Sequence, residues 1–331
     1  MKIVIVGAGP AGTACAIALL QAGHQVSIID KSSFPRPAPG ETLHPGVEPL
    51  LQQLGVLGKL KQYDFLRMDG VLSRRGDGEI FMPYHDNEQW QGYQFIREDF
   101  DMALLAHAQS LGAEFYQANP QSIEHDNNGC IIALHCAEKR FEADYFIDAS
   151  GQRRWLTQSL NIGTSPHSHQ HIVYYGQLIV DVSERYHRPE MTWDEAGWTW
   201  IARIKNDRLS WARLDIHGHE RKPRNWLPTQ LHQYAGMNFS IRQARDMTWR
   251  IVDTPSQANY FAVGDAAFVL DPASSHGVLK ALMSGIMVSH LIDNVGTLGN
   301  EAHTIYAQWL KQWFEGDVTK LRALYQNNHG S

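Results

Sequence analysis

The feature that most constrains this fold is a glycine-rich turn between a strand and a helix at the start of the chain. Residues 2–6 are apolar and β-branched, which predicts a buried parallel strand. The turn Gly7-Ala8-Gly9-Pro10-Ala11-Gly12 follows with the spacing G-x-G-x-x-G, and residues 13–22 form an Ala- and Leu-rich helical segment. A second strand, residues 25–29, ends at Asp30. Strand, turn, helix and terminal acid together predict a Rossmann-type site for the pyrophosphate of a dinucleotide.

The residues of this turn have separate physical roles. Gly7 allows the tight turn, Gly9 lets the backbone approach a phosphate, and Gly12 lets the helix pack closely on the strand. The free N–H groups at the start of the helix favour an anion. Asp30 is placed to accept hydrogen bonds from ribose hydroxyls. The predicted cofactor-binding residues of this region are Gly7, Gly9, Ala11, Gly12, Asp30 and Lys31.

Size and charge restrict the function. A length of 331 residues suits one large or two modest domains, and the net charge of -6 argues against general binding to nucleic acid or to an anionic membrane. Three cysteines are too few for a disulfide framework. No apolar run is long enough to span a membrane, and no signal peptide is expected. We expect a cytoplasmic enzyme with no metal site and with no nucleic-acid or membrane partner.

The predicted elements fall into two kinds that alternate along the chain. Helical patterns occupy residues 45–54, 98–111, 278–294 and 301–325, and a β pattern dominates residues 70–95 and 172–216, with a hairpin turn at Asn206-Asp207. This order predicts an α/β fold with two interleaved domains. The nucleotide-binding domain comprises residues 1–69, 98–160 and 253–331, and an antiparallel β-sheet substrate domain comprises residues 70–97 and 161–252.

Three further segments identify the dinucleotide as FAD. The run Arg97-Glu98-Asp99-Phe100-Asp101 resembles the R-x-x-F-D element of glutathione-reductase-type flavoprotein monooxygenases, in which the arginine contacts FAD. Residues 148–151 resemble the D-x-x-G step of that family, and residues 260–278 resemble its strand, Gly-Asp, loop and helix element. The resemblance implies a glutathione-reductase-type (Rossmann-like) FAD domain. The FAD-binding residues that it adds are Arg97, Gly264, Asp265, Gly277 and Val278. For Arg97, a capping position on the helix surface is the alternative.

A fourth segment, Gly40-Glu41-Thr42-Leu43-His44-Pro45-Gly46, resembles the G-E-[ST]-x-x-P run of flavin-dependent halogenases and geranylgeranyl-reductase-like flavoproteins, which lies beside the flavin. It implies that Glu41 and Thr42 contact the cofactor and that Glu41 and His44 are catalytic candidates. The alternative is that Glu41 and His44 only cap the following helix. The run Gly197-Trp198-Thr199-Trp200-Ile201 resembles the halogenase motif G-W-x-W-x-I-P without its last residues. No lysine occurs between Lys61 and Lys139, where a halogenase needs one, so halogenation is disfavoured.

The chain as a whole resembles the LodB/GoxB-type flavoproteins, on the turn at 7–12, the run at 40–46 and the segment GDAAFVLDPASSHGVLKALMSG at 264–285. Those proteins mature the precursors of lysine and glycine oxidases. The resemblance implies an FAD-dependent monooxygenase that hydroxylates a tryptophan of a precursor protein during cysteine tryptophylquinone biogenesis. Its partners would be the precursor of a quinone-cofactor amino-acid oxidase and molecular oxygen. The reaction would use a flavin C4a-hydroperoxide, with NAD(P)H as a possible electron donor.

Four residues complete the predicted site. Trp198, Trp200 and Trp211 lie on predicted strands and are candidates for the substrate pocket, although ordinary sheet packing is the alternative. His276 is the candidate general base or proton donor, because it precedes Gly277 and imidazole titrates near neutral pH. Its alternative is a loop residue that bonds its own backbone. Two other functions stay open: a monooxygenase or reductase of a small hydrophobic or aromatic metabolite, and a non-catalytic flavoprotein chaperone.

Overall fold

The computed structural model describes the chain except for Pro39, Asp64 and residues 85–89, 217–221, 224–225 and 330–331, and it describes only the backbone of residues 239–242 and 327–329. Its strands are β1 (Lys2–Val6), β2 (Gln25–Asp30), β3 (Glu41–Leu43), β4 (Leu66–Met68), β5 (Gly70–Arg75), β6 (Gly78–Pro83), β7 (Gly92–Phe95), β8 (Glu114–Gln117), β9 (Ser122–His125), β10 (Ile131–Cys136), β11 (Lys139–Phe141), β12 (Tyr145–Asp148), β13 (Thr164–Pro166), β14 (Ile172–Ile179), β15 (Glu190–Asp194), β16 (Gly197–Lys205), β17 (Arg208–Asp215), β18 (Asn238–Asp246), β19 (Arg250–Val252), β20 (Ser256–Gln257), β21 (Tyr260–Ala262) and β22 (Phe268–Val269). Its α-helices are α1 (Pro10–Gln21), α2 (Val47–Gln53), α3 (Leu57–Leu60), α4 (Arg97–Ser110), α5 (Trp155–Ser159), α6 (Gly277–Asp293), α7 (Val295–Leu298) and α8 (Glu301–His329).

A six-stranded sheet carries the glycine-rich turn. Its strand order is β20-β21-β12-β1-β2-β8, and every neighbouring pair is parallel except β20 with β21. The central strands are buried on both faces, and Ile5 and Ile28 are inaccessible to solvent. The prediction of an α/β fold with a Rossmann-like domain is confirmed. None of the helices in the described ranges combines the length and the apolar character that crossing a membrane requires.

A seven-stranded sheet forms the second layer. Its order is β18-β14-β17-β16-β15-β5-β6, and its pairs are antiparallel except β15 with β5. Alternate residues divide between two apolar clusters, because successive side chains of a strand point to opposite faces. Trp198 and Leu214 belong to one cluster, and Ile201 and Trp211 belong to the other. The hairpin between β16 and β17 turns at Asn206-Asp207 as the sequence predicts.

Two small sheets cross the predicted domain boundaries. β7 comes from the predicted substrate segment 70–97, yet it pairs with β3 and β4. β19, from the predicted segment 161–252, pairs with both β13 and β22. These shared sheets tie the two large sheets together, so the boundaries stay predictions.

Helix α8 also connects the two layers. Near its start, the Tyr306 hydroxyl donates to the carbonyl oxygen of Ala262 in β21. Further along, the Phe314 ring packs on Phe268 with ring centroids 5.6 Å apart. Near its end, the Trp198 indole N–H donates to the Tyr325 hydroxyl over 3.0 Å. The helix therefore runs from the six-stranded sheet to the seven-stranded sheet.

The contact between α1 and α6 supplies a test of the packing. A Cβ on Gly285 would lie 2.5 Å from the carbonyl oxygen of Ala11 and 2.8 Å from the backbone nitrogen of Cys15. Because these are backbone atoms, Gly285→Ala is expected to lower the free energy of unfolding by about 1–3 kcal/mol in urea denaturation. The control Gly296→Ala adds a Cβ that meets nothing within 4 Å, so a change below about 0.5 kcal/mol is expected. Equal effects of the two substitutions would contradict the close contact.

Candidate active site

A cavity of about 860 Å³ lies between the glycine-rich turn, the start of α6 and one face of the seven-stranded sheet. A cavity of this volume is large enough for a cofactor. The predicted site residues that border it are Gly7, Gly9, Ala11, Asp30, Lys31, Glu41, Thr42, Arg97, Trp198, Trp200, Trp211, Asp265, His276, Gly277 and Val278. Gly12, His44 and Gly264 do not border it. The fold therefore gathers residues from both ends of the chain around one space.

The turn after β1 has the shape that a pyrophosphate needs. Gly7 has a φ of +112°, and a Cβ there would lie 2.2 Å from the carbonyl oxygen of Ala149. A Cβ on Gly12 would lie 2.0 Å from the carbonyl oxygen of Gly7, so Gly12 serves packing. Gly9 is the N-cap of α1 and no side chain caps that helix, which leaves its first N–H groups open to the cavity.

Asp30 is fixed in orientation by three protein donors. Its carboxylate accepts the Ala8 N–H at 2.8 Å, the Ser32 N–H at 2.9 Å and an Arg36 guanidinium N–H at 3.2 Å. An ionised carboxylate has about four acceptor positions. The carboxylate therefore retains capacity for a ribose hydroxyl, which fits the predicted role. Arg36 belongs to a proline-rich loop and was not predicted as a site residue.

A chain of alternating charges lines this part of the cavity. Asp101 is almost fully buried and accepts from Arg97 at 2.8 Å and 3.1 Å and from Arg36 at 3.3 Å. Arg97 also donates to Glu41. Burial alone lowers the pKa of Arg97, but the charges of Asp101 and Glu41 more than offset this effect and raise it. Arg97 therefore lies inside a charge network at the cavity instead of capping the helix surface, and Glu41 is held by that network.

The Gly-Asp element after β21 is paired with a buried lysine of α6 that the sequence did not single out as a site residue. The Lys280 ammonium lies 3.1 Å from Asp265 Oδ1 and donates to the carbonyl oxygen of Phe268 over 3.0 Å. Lys280 is 6% exposed and also borders the cavity. Gly264 has a φ of +60° and packs on Ala11 of α1, so it supports the site from behind. Lys280 lies three residues after Gly277, so the sequence placed it near the start of α6. The sequence did not show that its side chain points toward Asp265 and the cavity.

The first turn of α6 opens into the cavity. His276 is the N-cap residue and its side chain makes no capping hydrogen bond, so the first N–H groups of the helix carry no side-chain partner. A Cβ on Gly277 would meet nothing within 4 Å. This positive helix end is suited to the electron-rich edge of a flavin ring. The residues around the cavity thus fit FAD, whose pyrophosphate the N-terminus of α1 would hold and whose ring the N-terminus of α6 would hold.

His276 is held by an acid that comes from α8. Its Nδ1 lies 3.1 Å from Asp317 Oδ2, and the Asp317 side chain is 5% exposed. In the described part of the chain, the His276 ring bonds Asp317 and makes no hydrogen bond to its own backbone. Asp317 also borders the cavity, and it lies 41 residues further along the chain, so no local pattern indicated it.

His44 lies behind His276, with ring centroids 5.9 Å apart. Its Nδ1 accepts the Gly46 N–H over 3.0 Å, which agrees with a local turn-forming role. Burial lowers the pKa of His44, and the positive charge of a protonated His276 lowers it further. Neutral His44 with Nδ1 as acceptor carries its proton on Nε2. His44 is thus a neutral neighbour of His276, and its ring also contacts Tyr84 and Trp90 edge to face.

The sheet wall of the cavity is aromatic and apolar. Trp198 and Trp200 project from β16 toward the cavity, beside Val173 and Met191. Trp211 also borders the cavity, but its indole is fully buried and packs with Ile201 in the cluster on the other face of the sheet. The period of two along β17 explains this outcome, because Ser210 and Ala212 occupy the cavity side.

A buried carboxylate, that of Asp271, borders the cavity near its aromatic wall. Asp271 is inaccessible to solvent and accepts the Ala273 N–H over 2.8 Å and the Tyr325 hydroxyl. Burial raises the pKa of Asp271 from 3.8 to about 6, although the bonds from Tyr325 and Ala273 oppose the rise. Tyr325 in turn accepts from Trp198, so α8 holds both the wall and the loop before α6.

Asp271 makes stability depend on pH. A carboxyl with a higher pKa in the folded state binds a proton that the unfolded chain has lost, so its contribution to stability is largest below about pH 4 and falls as the pH rises through 6. Asp271→Asn removes this dependence. We expect the stability of the variant relative to the parent protein to rise by about 2 kcal/mol between pH 4 and pH 7, measured by denaturant unfolding at each pH. A difference that is independent of pH would contradict the raised pKa.

The sequence of this chain is similar to those of known FAD-binding proteins. Residues 1–283 match the FAD binding domain family (FAD_binding_3). The chain is 25% identical over 321 residues to a tryptophan 2-halogenase of Chondromyces crocatus, covering 89% of this chain and 61% of that protein. It is 27% identical over 347 residues to a 1H-pyrrole-2-carbonyl-[peptidyl-carrier protein] brominase of Pseudoalteromonas luteoviolacea, covering 95% of this chain and 82% of that protein.

Solved structures share the fold. The myxobacterial chondrochloren halogenase CndH superposes with a TM-score of 0.86 at 20% identity, covering 99% of this chain and 83% of that chain. The peptidyl tryptophan dihydroxylase QhpG superposes with a TM-score of 0.78 at 20% identity, covering 99% of this chain and 75% of that chain. The prediction of FAD as cofactor is confirmed. The chain belongs to the FAD binding domain family, and it spans 61% of the length of the tryptophan 2-halogenase that it matches.

Proposed function

We propose that this protein is a monooxygenase that hydroxylates the indole ring of a tryptophan in a precursor protein. One observation carries the proposal: the aromatic wall of Trp198 and Trp200 borders the same cavity as the open N-terminus of α6 and the His276–Asp317 pair. This arrangement provides a dry surface for an aromatic ring, a place for the flavin and an ionisable group between them.

The overall reaction consumes dioxygen and a reduced nicotinamide. One oxygen atom enters the ring as a hydroxyl group and the other leaves as water, with two electrons and one proton from NAD(P)H and one from solvent. Bound FAD supplies the electron transfer that activates dioxygen. Trp198, Trp200 and Met191 border the cavity, and their apolar side chains are suited to keep water away from the reacting ring.

His276 is suited to move the proton that the ring loses. It stands directly before Gly277 at the start of α6, and its Nδ1 is occupied by Asp317, which leaves Nε2 for the reaction. The carboxylate fixes the orientation of the ring and stabilises the imidazolium that forms when His276 accepts a proton. Glu41 is less suited to this task, because Arg97 already holds its carboxylate.

A peptidyl substrate is supported by two likenesses. The sequence resembles the LodB/GoxB-type flavoproteins, and QhpG, which shares the fold, is named as a peptidyl tryptophan dihydroxylase essential for tryptophylquinone cofactor biogenesis. A small aromatic metabolite is the second candidate, because the same apolar wall would accept a free indole or phenol.

Halogenation is the activity that the curated relatives' names suggest. Lys31 and Lys280 are the lysines that border the cavity in the described part of the chain. Lys31 lies beside Asp30, and Lys280 is held by Asp265 and Phe268. Neither lysine projects from the aromatic wall, so hydroxylation is favoured.

Mass spectrometry of products tests the proposal. The holoenzyme is incubated with NADPH, air and bromide, and with a blocked tryptophan peptide or with free indole. We expect the peptide to gain one oxygen atom, about 16 Da, in air, and we expect that atom to be ¹⁸O when ¹⁸O₂ replaces air. Bromination of either compound would show halogenase activity and contradict the proposal. Oxidation of indole with no reaction of the peptide would favour a small aromatic metabolite as the substrate.

Asp317→Asn tests the proton-transfer pair. The variant is expected to lower kcat about tenfold or more, while the KM for substrate and the flavin content stay unchanged, because only the orientation and charge stabilisation of His276 are lost. The matched control is Lys320→Ala, since the Lys320 ammonium lies 3.8 Å from the other Asp317 oxygen at an exposed position. Equal losses in the two variants would show a general effect on α8 and contradict the assigned role.

A further inference from the structure

We infer that an extended segment of the substrate polypeptide binds by adding a strand to β18 and delivers alternate side chains into the cavity. The inference rests on the proposed function, which it deepens by naming how the polypeptide is recognised. The inference is based on the position of β18, which is an exposed edge strand that borders the cavity.

β18 is one of the two edges of the seven-stranded sheet. It pairs with β14 on one side, from Asn238 to Asp246, and has no strand on the other side within the described ranges. Residues 243–246 are exposed. An edge strand presents a row of backbone donors and acceptors, and an extended peptide can pair with it.

The two edges differ in their relation to the cavity. Gln243, Arg245 and Met247 border the cavity at and just after β18. At the opposite edge, no residue of β6 borders it. Because side chains alternate between the faces of a sheet, a strand added at β18 would place every second side chain on the cavity face. A tryptophan on that face would lie on the same side as Trp198 and Trp200.

The positive charge of Arg245 on β18 favours a substrate with an acidic residue close to that tryptophan. Arg245 is exposed and borders the cavity, and the ion pairs formed among the described residues do not include its guanidinium. Its guanidinium carbon lies 5.5 Å from the centre of the Tyr175 ring, and the Tyr175 hydroxyl donates to Gln243 over 2.8 Å. Residues two positions from the tryptophan share its face, so a glutamate or aspartate there would meet Arg245.

Blocked nine-residue peptides test this mode of binding. The parent probe has tryptophan at position 5, glutamate at positions 3 and 7 and threonine elsewhere, with a fluorophore at the amino end. Affinity for the holoenzyme is measured by fluorescence anisotropy. In one derivative the backbone amides at positions 4 and 6 are N-methylated, and in the other those at positions 3, 5 and 7. Only alternate amides of a paired strand face its partner, so we expect one derivative to bind at least tenfold more weakly and the other within about twofold of the parent.

A charge swap tests the assigned contact. A probe with lysine at positions 3 and 7 is expected to bind at least threefold more weakly than the glutamate probe, and Arg245→Glu is expected to reverse this preference. The matched control is Lys311→Glu, which makes the same change of charge at an exposed position of α8 and is expected to leave the preference unchanged.

The outcomes separate this inference from the proposed function, because oxidation of each probe is followed in the same samples. Oxidation of the peptides without an alternating effect of N-methylation overturns the strand pairing and leaves the function standing. Alternating binding without oxidation supports the pairing and overturns the function. If no probe binds, the pairing is overturned. It is also overturned if the protein is a dimer that Arg245→Glu dissociates and peptides leave intact, because β18 would then pair with a second copy of the chain.

Discussion

The close contact of α1 with α6 is the constraint on which the rest of the structure depends. Gly285 lets the backbone of α6 approach Ala11, and Gly264 lets the preceding turn pack on the same residue. This approach brings the N-termini of two helices to one cavity. A dinucleotide has charge at its pyrophosphate and an electron-rich edge at its flavin ring, so two positive helix ends at one site suit both parts of the cofactor.

Electrostatics divides the cavity into two environments. At the dinucleotide end, Arg36 and Arg97 alternate with three acids, so each charge has an opposite neighbour. At the sheet end, aromatic and aliphatic side chains surround Asp271, and burial raises the pKa of that carboxyl to about 6. The charged part of the cofactor fits the first environment, while the second would suit the uncharged aromatic ring of the proposed substrate.

Helix α8 gives the apolar end its functional groups. Asp317 reaches His276, and Tyr325 links the loop at Asp271 to Trp198. Because the same helix is anchored on β21 through Tyr306, it joins the two small shared sheets in fixing the position of the sheet wall relative to the cofactor region. The edge strand β18 borders the cavity through Gln243 and Arg245, which is where a polypeptide substrate would enter under the proposed strand pairing.

The sequence by itself determined the local elements and the cofactor. The turn at residues 7–12 predicted the β1, α1 and β2 unit, and the helix expected at 98–111 is observed as Arg97–Ser110. These features depend on neighbours in the chain, on helical or strand periodicity and on glycine conformation, which a sequence carries directly.

Only the tertiary structure decided which residues meet at the site. The contact of His276 with Asp317 joins positions 41 residues apart, and that of Tyr325 with Asp271 joins positions 54 residues apart. The pattern of β16 and β17 predicted two faces, but it did not say that Trp211 packs on the face away from the cavity. Such outcomes depend on how helices and sheets pack together, because alternation along a strand is the same whichever face becomes the wall of the site.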